Sequence, residues 1–116
     1  MKLMTAVIPC YNSAAYMSHA IETLLTGGND MEIIIVNDGS SDDTQKIAEE
    51  YQAKYPKIIK VISQENGGHG EAVNTGLANA TGLYFKVVDS DDWVNEKALE
   101  QVLGKLKELI ADGNSP

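Results

Sequence analysis

The chain has 116 residues, of which 43% are hydrophobic, and this is enough apolar material for the core of one domain. Its formal net charge is −8, and all nine of its Lys and Arg positions are lysine. Such an acidic surface repels a phosphate backbone, which excludes nucleic-acid binding through a basic face. A phosphorylated small molecule could bind only if a metal ion or oriented backbone N–H groups offset the negative charge.

Cys10 is the only cysteine, so the chain can form neither an internal disulfide nor a cysteine-rich zinc site. The sequence contains no stretch long enough for a transmembrane helix, and its N-terminus lacks the pattern of a secretory signal. We therefore expect a cytoplasmic protein in which this chain itself makes no membrane contact. The inner face of the membrane is an alternative location for the full-length protein.

Four short apolar runs predict buried strands, and the amphipathic segments that follow them predict helices. In chain order, the predicted strands are residues 5–9, 32–37, 58–63 and 83–88. The second run holds three consecutive isoleucines without alternation, as expected for a strand that is covered on both faces. The apolar faces of the predicted helices are Met17, Ala20, Ile21, Leu24 and Leu25; Ile47, Ala48, Tyr51 and Tyr55; Ala72, Val73, Leu77 and Ala80; and Leu99, Val102, Leu103, Leu106, Leu109 and Ile110.

The alternation of strand and helix, repeated four times, predicts one α/β domain over residues 1–116. We expect a three-layer sandwich with helices on both faces of a mostly parallel, Rossmann-like sheet of strand order 3-2-1-4. Residues 111–116 are typical of a helix end that runs into a loop, which indicates a domain cut from a larger protein.

Polar or glycine-rich segments follow all four predicted strands. They are residues 9–12, 37–41, 64–70 and 89–92. In sheets of this kind, ligands bind beyond the carboxyl ends of the strands, where the strand order reverses. The four segments are therefore expected to converge on one binding site.

Three carboxylates in four residues, Asp89, Asp91 and Asp92, directly follow the fourth predicted strand. Carboxylates this close repel one another and favour a bound cation, and alternate positions on an extended segment point Asp89 and Asp91 the same way. The spacing fits Mg²⁺ or Mn²⁺ held by one or two of the carboxylates, with diphosphate and water completing the shell. The alternative is helix capping, because acidic residues favour the first turn of a helix, and Asp92 alone could serve in that way.

The segment after the second strand contains one candidate ligand residue and several candidate helix caps. Asp38 lies at the strand tip before a glycine, where it could accept a hydrogen bond from a base or a ribose. Ser40 and Ser41 are expected to cap the next helix, and Asp42 and Asp43 to interact favourably with its dipole.

Tyr11 lies just past the first strand, where its ring could either stack on a planar base or only cover the end of the sheet. Pro9 ends the hydrogen bonding of that strand, which is a structural role in its own right. Cys10, between them, is expected to be a small buried side chain rather than a nucleophile.

Residues 66–71 form a glycine-rich loop before a helix whose first N–H groups could face a phosphate. The spacings of the P-loop and of the dinucleotide fingerprint are absent. His69 in this loop is expected to be solvated rather than an acid–base or ligand residue. Trp93 and Tyr84 are expected to be packing residues.

Taken together, three of these segments resemble the inverting family 2 glycosyltransferases of the GT-A fold. They are residues 7–12 (Val-Ile-Pro-Cys-Tyr-Asn), 35–44 (Ile-Val-Asn-Asp-Gly-Ser-Ser-Asp-Asp-Thr) and 89–93 (Asp-Ser-Asp-Asp-Trp). Asn66-Gly67-Gly68, followed by Ala72, Asn74 and Gly76, is similar to the loop and helix before the fourth strand of that family. The resemblance covers nearly the whole chain, and its specificity comes from four motifs in the right order.

The resemblance implies a nucleotide-sugar donor, most often a UDP-sugar, bound together with Mg²⁺ or Mn²⁺. The acceptor would be a saccharide, a lipid-linked molecule or a protein. By the same resemblance, Tyr11 would stack on the base, Pro9 would contribute through its backbone nearby, and Asp38 would accept a hydrogen bond from the base.

Within the Asp-x-Asp signature of the family, Asp89 would lie near the ribose and the metal, and Asp91 would bind the metal with the diphosphate. The pair Asp91 and Asp92 is the competing assignment. The implied reaction is direct displacement at the anomeric carbon with inversion, in which the metal stabilises charge on the leaving diphosphate.

The chain departs from the family in two respects. Val73 stands where many relatives carry an arginine, so any donor contact by that arginine is lost. No convincing catalytic base occurs in these residues, and we expect it beyond Pro116, together with the acceptor-binding half. Two alternatives stay open: a non-catalytic nucleotide-sugar-binding module or fragment, and a phosphohydrolase that uses Asp89 as nucleophile.

Overall fold

The computed structural model describes residues 2–112, in which strands and helices alternate as predicted. The strands are β1 (Met4–Cys10), β2 (Met31–Asp38), β3 (Ile59–Gln64) and β4 (Tyr84–Val87). The helices are α1 (Met17–Leu25), α2 (Thr44–Lys54), α3 (His69–Ala78) and α4 (Glu96–Ala111), and a short 3₁₀ turn (Gly28–Asp30) precedes β2. The observed strands differ from the predicted ones by only a residue or two at their ends.

All four strands are parallel and lie in the order β3-β2-β1-β4, which confirms the predicted α/β fold and strand order. Val7 of β1 pairs with Ile34 of β2 on one side and with Val87 of β4 on the other. The chain proceeds from β1 outward to β3 and then returns to place β4 on the opposite side of β1. The strand order therefore reverses between β1 and β4, where a ligand site is expected.

Helices cover both faces of the sheet, but unequally. α1, α2 and α4 pack on one face, where Ile21 of α1 and Leu103 of α4 belong to the larger buried cluster. α3 alone packs on the other face, with Ala72 against Val7 and Ile34. β1 and β2 are buried along their whole length, as the unbroken run of isoleucines predicted.

α3 lies very close to β1 because the contact is made by a glycine. A Cβ atom at Gly76 would lie 2.2 Å from Cγ1 of Val7, so no side chain fits there without a shift. This close approach fixes α3 on the sheet, with its first residue, His69, at the carboxyl edge.

β4 is the outer strand next to β1, and here the predicted packing was wrong. All of its residues are exposed, and only Val88 just beyond it is buried. Tyr84 and Trp93 are 44% and 56% exposed, so neither packs in the core, and Trp93 stacks instead on His19. Val102 of α4 was predicted on a buried face but is exposed. The shared reason is that, within residues 2–112, β4 pairs only with β1.

The C-terminal helix ends at Ala111, as the sequence predicted. The predicted loop after it lies mostly in residues 113–116, which are outside the described residues. None of the helices within residues 2–112 combines the length and the apolar character that a membrane span requires.

A buried carboxylate connects all four strands at the end of the sheet opposite to the predicted site. Glu32 of β2 is 3% exposed and accepts hydrogen bonds from Thr5 Oγ1 of β1 (2.8 Å) and Lys60 Nζ of β3 (3.0 Å). It also accepts from the backbone N–H (2.8 Å) and the hydroxyl (2.9 Å) of Thr81, just before β4. Burial raises the pKa of Glu32, but these hydrogen bonds outweigh the burial and lower the pKa to about 2.

The close contact of α3 with β1 predicts opposite effects for the same substitution at two helical glycines. Gly76→Ala should lower the free energy of unfolding by about 1–3 kcal/mol, because the new methyl group overlaps Val7. Gly104→Ala in α4 meets no atom within 4 Å and should raise it by up to about 1 kcal/mol, since alanine is the better helix former. Urea unfolding of both variants tests this, and a stabilising Gly76→Ala would show that α3 does not approach β1 so closely.

The buried carboxylate predicts a pH dependence of stability. The pKa of Glu32 is lower in the folded chain than its ordinary value of 4.5. Its ionised carboxylate therefore contributes fully to the free energy of unfolding above pH 4.5, and this contribution is lost as the pH falls towards 2. Glu32→Gln should lower the free energy of unfolding at pH 7 by up to about 3 kcal/mol, and the deficit should shrink towards pH 2. Urea unfolding at pH 7 and pH 3 measures it, with Glu50→Gln controlling for the loss of one exposed charge. A deficit that does not change with pH would contradict this role.

Candidate donor-binding site

The four loops at the carboxyl edge of the sheet enclose one cavity of about 440 Å³, within the size range of small-ligand sites. Its lining comes from all four loops and from the first turns of α3. The lining residues are Pro9, Cys10, Tyr11, Tyr16, Asp38, Asn66, Gly68, His69, Ala72, Asp89, Ser90 and Asp91. The convergence that the sequence predicted is therefore present.

The structure brings five of the six candidate ligand residues together and separates the sixth. Pro9, Tyr11, Asp38, Asp89 and Asp91 line the cavity. The remaining candidate, Asp92, lines a neighbouring groove between β4 and α4. Its carboxylate accepts a hydrogen bond from the backbone N–H of Trp93 at 2.8 Å. The same residue does not cap α4, which begins at Glu96 after the cap Asn95.

Two hydrogen bonds join the loop after β2 to Asn12 in the loop after β1, and two serines predicted as helix caps make them. Ser40 Oγ accepts a hydrogen bond from the backbone N–H of Asn12 at 2.9 Å, and Ser41 N–H donates to Asn12 Oδ1 at 2.8 Å. Asn12 has a left-handed backbone (φ 49°), which asparagine tolerates better than most residues. α2 begins only at Thr44, so Ser40 and Ser41 lie too early to cap it.

A second set of contacts joins the loops after β1, β2 and β4. Asp42 accepts hydrogen bonds from the Thr44 hydroxyl and from the backbone N–H groups of Ala14 (3.1 Å) and Thr44 (3.0 Å). These bonds lower the pKa of its carboxyl, and the bond from the Thr44 hydroxyl has the largest effect. Ser13 N–H donates to Thr44 Oγ1 at 2.8 Å, and the hydroxyls of Ser13 and Ser90 lie 2.6 Å apart. Side-chain hydrogen bonds thus hold together three of the loops from which the cavity lining comes.

Asp38 links the tip of β2 to the loop before α3. Burial raises the pKa of its carboxyl, but hydrogen bonds from Gln64 Nε2 (3.0 Å), Gly67 N–H (2.9 Å) and Gly68 N–H (3.0 Å) lower it below the ordinary value. An ionised carboxylate offers about four acceptor positions, so three donors leave about one for a ligand. Asp38 is only 3% exposed, which suits recognition of one N–H group rather than metal binding.

Two tyrosines give the cavity an aromatic surface. Tyr11 is 54% exposed and Tyr16 is 44% exposed, so both rings are available to a ligand. Sequence reasoning singled out Tyr11 from its position after β1 and missed Tyr16. The signal was available, since Tyr16 lies outside the apolar stripe of α1 and yet is a large aromatic residue directly before that helix.

His69 is the functional candidate that the sequence placed wrongly. It is the first residue of α3 rather than part of the loop before it. Its side chain is 64% exposed, as expected, but its Nε2 lies 2.8 Å from Asp89 Oδ1 across the cavity. The contact joins residues 20 positions apart in the chain. It depends on how α3 packs against the sheet, so no local pattern could have indicated it.

Cys10 is a buried small side chain, as predicted. It is 1% exposed, and loss of solvation on burial raises the pKa of its thiol to about 12. A thiol held in its neutral form is a poor nucleophile.

The donor set at the cavity suits a divalent ion that shares its shell with a ligand. Asp89 and Asp91 both line the cavity, and oxygen donors of this kind are those that Mg²⁺ and Mn²⁺ prefer. Within residues 2–112, no group of three or more acidic, histidine or cysteine side chains could enclose a metal ion by itself. The residues therefore fit the mode in which one or two carboxylates and phosphate oxygens bind the ion together.

Comparison with known proteins identifies the family. Residues 5–116 match the family model described as Glycosyl transferase family 2, and the chain belongs to this family, as its motifs predicted. It is 37% identical over 110 residues to the glycosyltransferase GlyA of Streptococcus pneumoniae, a match that covers 94% of the chain and 16% of that protein.

Two solved structures are similar in fold. The crystal structure of S. aureus TarS 1-349 in complex with UDP-GlcNAc matches 93% of the chain with a TM-score of 0.80 and 32% identity. The mannosyltransferase PcManGT from Pyrobaculum calidifontis, in complex with GDP-Man and Mn²⁺, matches 86% with a TM-score of 0.76 but only 23% identity, and so shows the fold alone. The chain spans 32% of the first structure and 31% of the second.

Proposed function

We propose that the protein transfers a sugar from a UDP-sugar donor to an acceptor hydroxyl, with inversion at the anomeric carbon and with a divalent metal ion. The observation that carries this proposal is that Pro9, Tyr11, Asp38, Asp89 and Asp91 line one cavity although three separate loops contribute them. The similarity to TarS, which was solved with UDP-GlcNAc, supports a nucleotide-sugar donor.

Tyr11 and Asp38 recognise the base in this proposal. The exposed ring of Tyr11 offers a flat face for stacking, and the remaining acceptor position of Asp38 takes an N–H group of the base. The backbone of Pro9 lines the same part of the cavity. Because Asp38 is held by three donors, it presents that acceptor position without having to reorient.

Asp91 and Asp89 hold the metal and the diphosphate end of the donor. Within residues 2–112, no lysine or arginine lines the cavity, so these residues offer no fixed cation to balance a diphosphate. When bound, Mg²⁺ or Mn²⁺ supplies that positive charge and acts as a Lewis acid on the leaving nucleotide. We assign the ion to Asp91, with Asp89 near the ribose and the metal. Asp92 is the weaker candidate, because it faces the groove beside α4.

The catalytic base comes from another part of the protein in this proposal. The carboxylates that line the cavity, Asp38, Asp89 and Asp91, all have roles in binding the donor. Deprotonation of an acceptor hydroxyl needs a base within hydrogen-bonding reach of it. A segment that follows residues 1–116 would supply both that base and the acceptor site.

The exposed strand β4 is where we place the acceptor-binding half. β4 is apolar but exposed, with Phe85 60% and Val87 37% accessible, and such an unpaired apolar edge is unfavourable in water. Both side chains lie on the same face of the sheet as α3, which covers that face at β1 and β2. The chain spans only 16% of GlyA and 32% of the TarS structure, and in this proposal a further segment of the longer protein pairs with β4.

The second candidate function is a nucleotide-sugar-binding module without transferase activity. The absence of a spare carboxylate in the cavity lining of residues 2–112 favours it for this chain taken alone. Binding of UDP without sugar transfer by the longer protein, with its native downstream sequence, would establish it.

Metal-dependent donor binding is tested with two neighbouring aspartates. Calorimetry with UDP should show that Mn²⁺ raises affinity about tenfold or more, equivalent to about 1.4 kcal/mol. Asp91→Ala should abolish this increase, whereas Asp92→Ala should retain it because its side chain lies outside the cavity. If the wild type binds UDP equally well with Mn²⁺ and with EDTA, the metal role is rejected; if only Asp92→Ala loses the increase, the metal belongs to Asp92.

The position of the acceptor-binding half is tested on β4. In the protein with its native downstream sequence, Phe85→Ser should lower the free energy of unfolding by about 2 kcal/mol, because the ring is then buried. In the 116-residue chain, where Phe85 is 60% exposed, the same substitution should have an effect below about 0.5 kcal/mol. If Phe85→Ser changes the free energy of unfolding by less than about 0.5 kcal/mol in both proteins, the acceptor-binding half does not pack on β4.

A further inference from the structure

One side-chain contact crosses the cavity and is used by none of the roles above. His69 Nε2 and Asp89 Oδ1 lie 2.8 Å apart and join the first turn of α3 to the loop after β4. A carboxylate oxygen can only accept, so the Nε2–H of His69 is the donor in this contact. Both side chains line the cavity.

Within residues 2–112, this is the only hydrogen bond that the carboxylate of Asp89 makes. Asp38, by contrast, is fixed by three donors. Without His69, the carboxylate of Asp89 would rotate freely about its side-chain bonds. With His69 bound to Oδ1, the carboxylate keeps one orientation and Oδ2 is left for a ligand.

The contact contributes little to the stability of the fold. The side chains of His69 and Asp89 are 64% and 58% exposed, and pairs this exposed contribute little to stability. The helix that carries His69 is nevertheless held on the sheet by the close contact of Gly76 with Val7. A contact that is weak in water becomes stronger when a bound ligand excludes water from it.

We infer that His69 is a positioning residue for donor binding, which acts by orienting the Asp89 carboxylate towards the ribose and diphosphate end of the nucleotide. The inference rests on the proposed function of the cavity. It adds His69 of α3 to the residues that act at the diphosphate end of the donor. Mutation of an outer partner of a metal-ligating residue typically costs about 10- to 100-fold in metal affinity or activity.

The test compares two substitutions that differ in whether they keep a donor. His69→Leu removes the N–H and should weaken UDP binding about tenfold in calorimetry, both with Mn²⁺ and with EDTA. His69→Gln keeps an amide N–H at similar reach and should stay within about threefold of the wild type. The midpoint of thermal unfolding should not change in either variant, because the pair is exposed. His19→Leu makes the same exchange outside the cavity, on the ring that stacks on Trp93, and should bind UDP normally.

A double-mutant cycle then shows whether His69 acts through Asp89. In an Asp89→Ala background, His69→Leu should cause no further loss of UDP affinity. A tenfold loss that persists in that background would overturn the inference, because His69 would then contact the nucleotide directly. Unchanged UDP binding by His69→Leu, with wild-type binding intact, would overturn it as well and leave the proposed function standing. If the wild type itself does not bind UDP, the proposed function fails and this role of His69 fails with it.

Discussion

The site depends on hydrogen bonds that backbone amides of one loop donate to side-chain oxygens of a neighbouring element. A parallel sheet brings the ends of its strands to one edge, and the loops that leave this edge have N–H groups without partners in the strand ladder. Here Ser40, Asp42 and Thr44 supply acceptors to the loop after β1, and Asp38 supplies them to the loop before α3. Hydrogen bonds between neighbouring elements therefore position these loops around the cavity.

This construction divides the carboxylates of the cavity into two kinds. Asp38 is buried, and backbone N–H groups use most of its acceptor positions, so its charge is already balanced by the protein. The side chain of Asp89 is exposed, with a single partner, and Asp91 lines the cavity beside it. The first kind suits recognition of one N–H group, and the second kind suits a cation. In our proposal, this difference separates base recognition from metal and diphosphate binding.

The fold could be predicted from the sequence because its signals are local. The unbroken apolar run of Ile33, Ile34 and Ile35 marks a strand covered on both faces, and the alternation of short runs with helical stripes leaves few topologies. The candidate ligand residues Tyr11, Asp38, Asp89 and Asp91 were predicted by the same logic, since each lies at the end of a strand or in the loop after one. Their convergence on one cavity follows from parallel strands having a common carboxyl edge.

The failures have two physical causes: a contact distant in sequence was invisible to local patterns, or an apolar strand lacked the cover that its composition predicts. Ser40 and Ser41 have the composition of helix caps, but their partner is Asn12, which lies 28 or 29 positions earlier. His69 is exposed, as expected, but its contact with Asp89 was missed because that partner follows only after the whole of α3 and β4. Tyr84 was expected to be a packing residue because apolar runs are usually buried. Within residues 2–112, however, its strand is the outer strand of the sheet, and Tyr84 is exposed.

The most direct test of the donor site is a crystal structure of the protein with UDP and Mn²⁺, using the anomalous signal to locate the metal. The account predicts a manganese peak bonded to Asp91 and to the diphosphate, with the base stacked on Tyr11 and hydrogen-bonded to Asp38. Clear density for UDP elsewhere on the surface, or a manganese ion bound away from both Asp89 and Asp91, would contradict it.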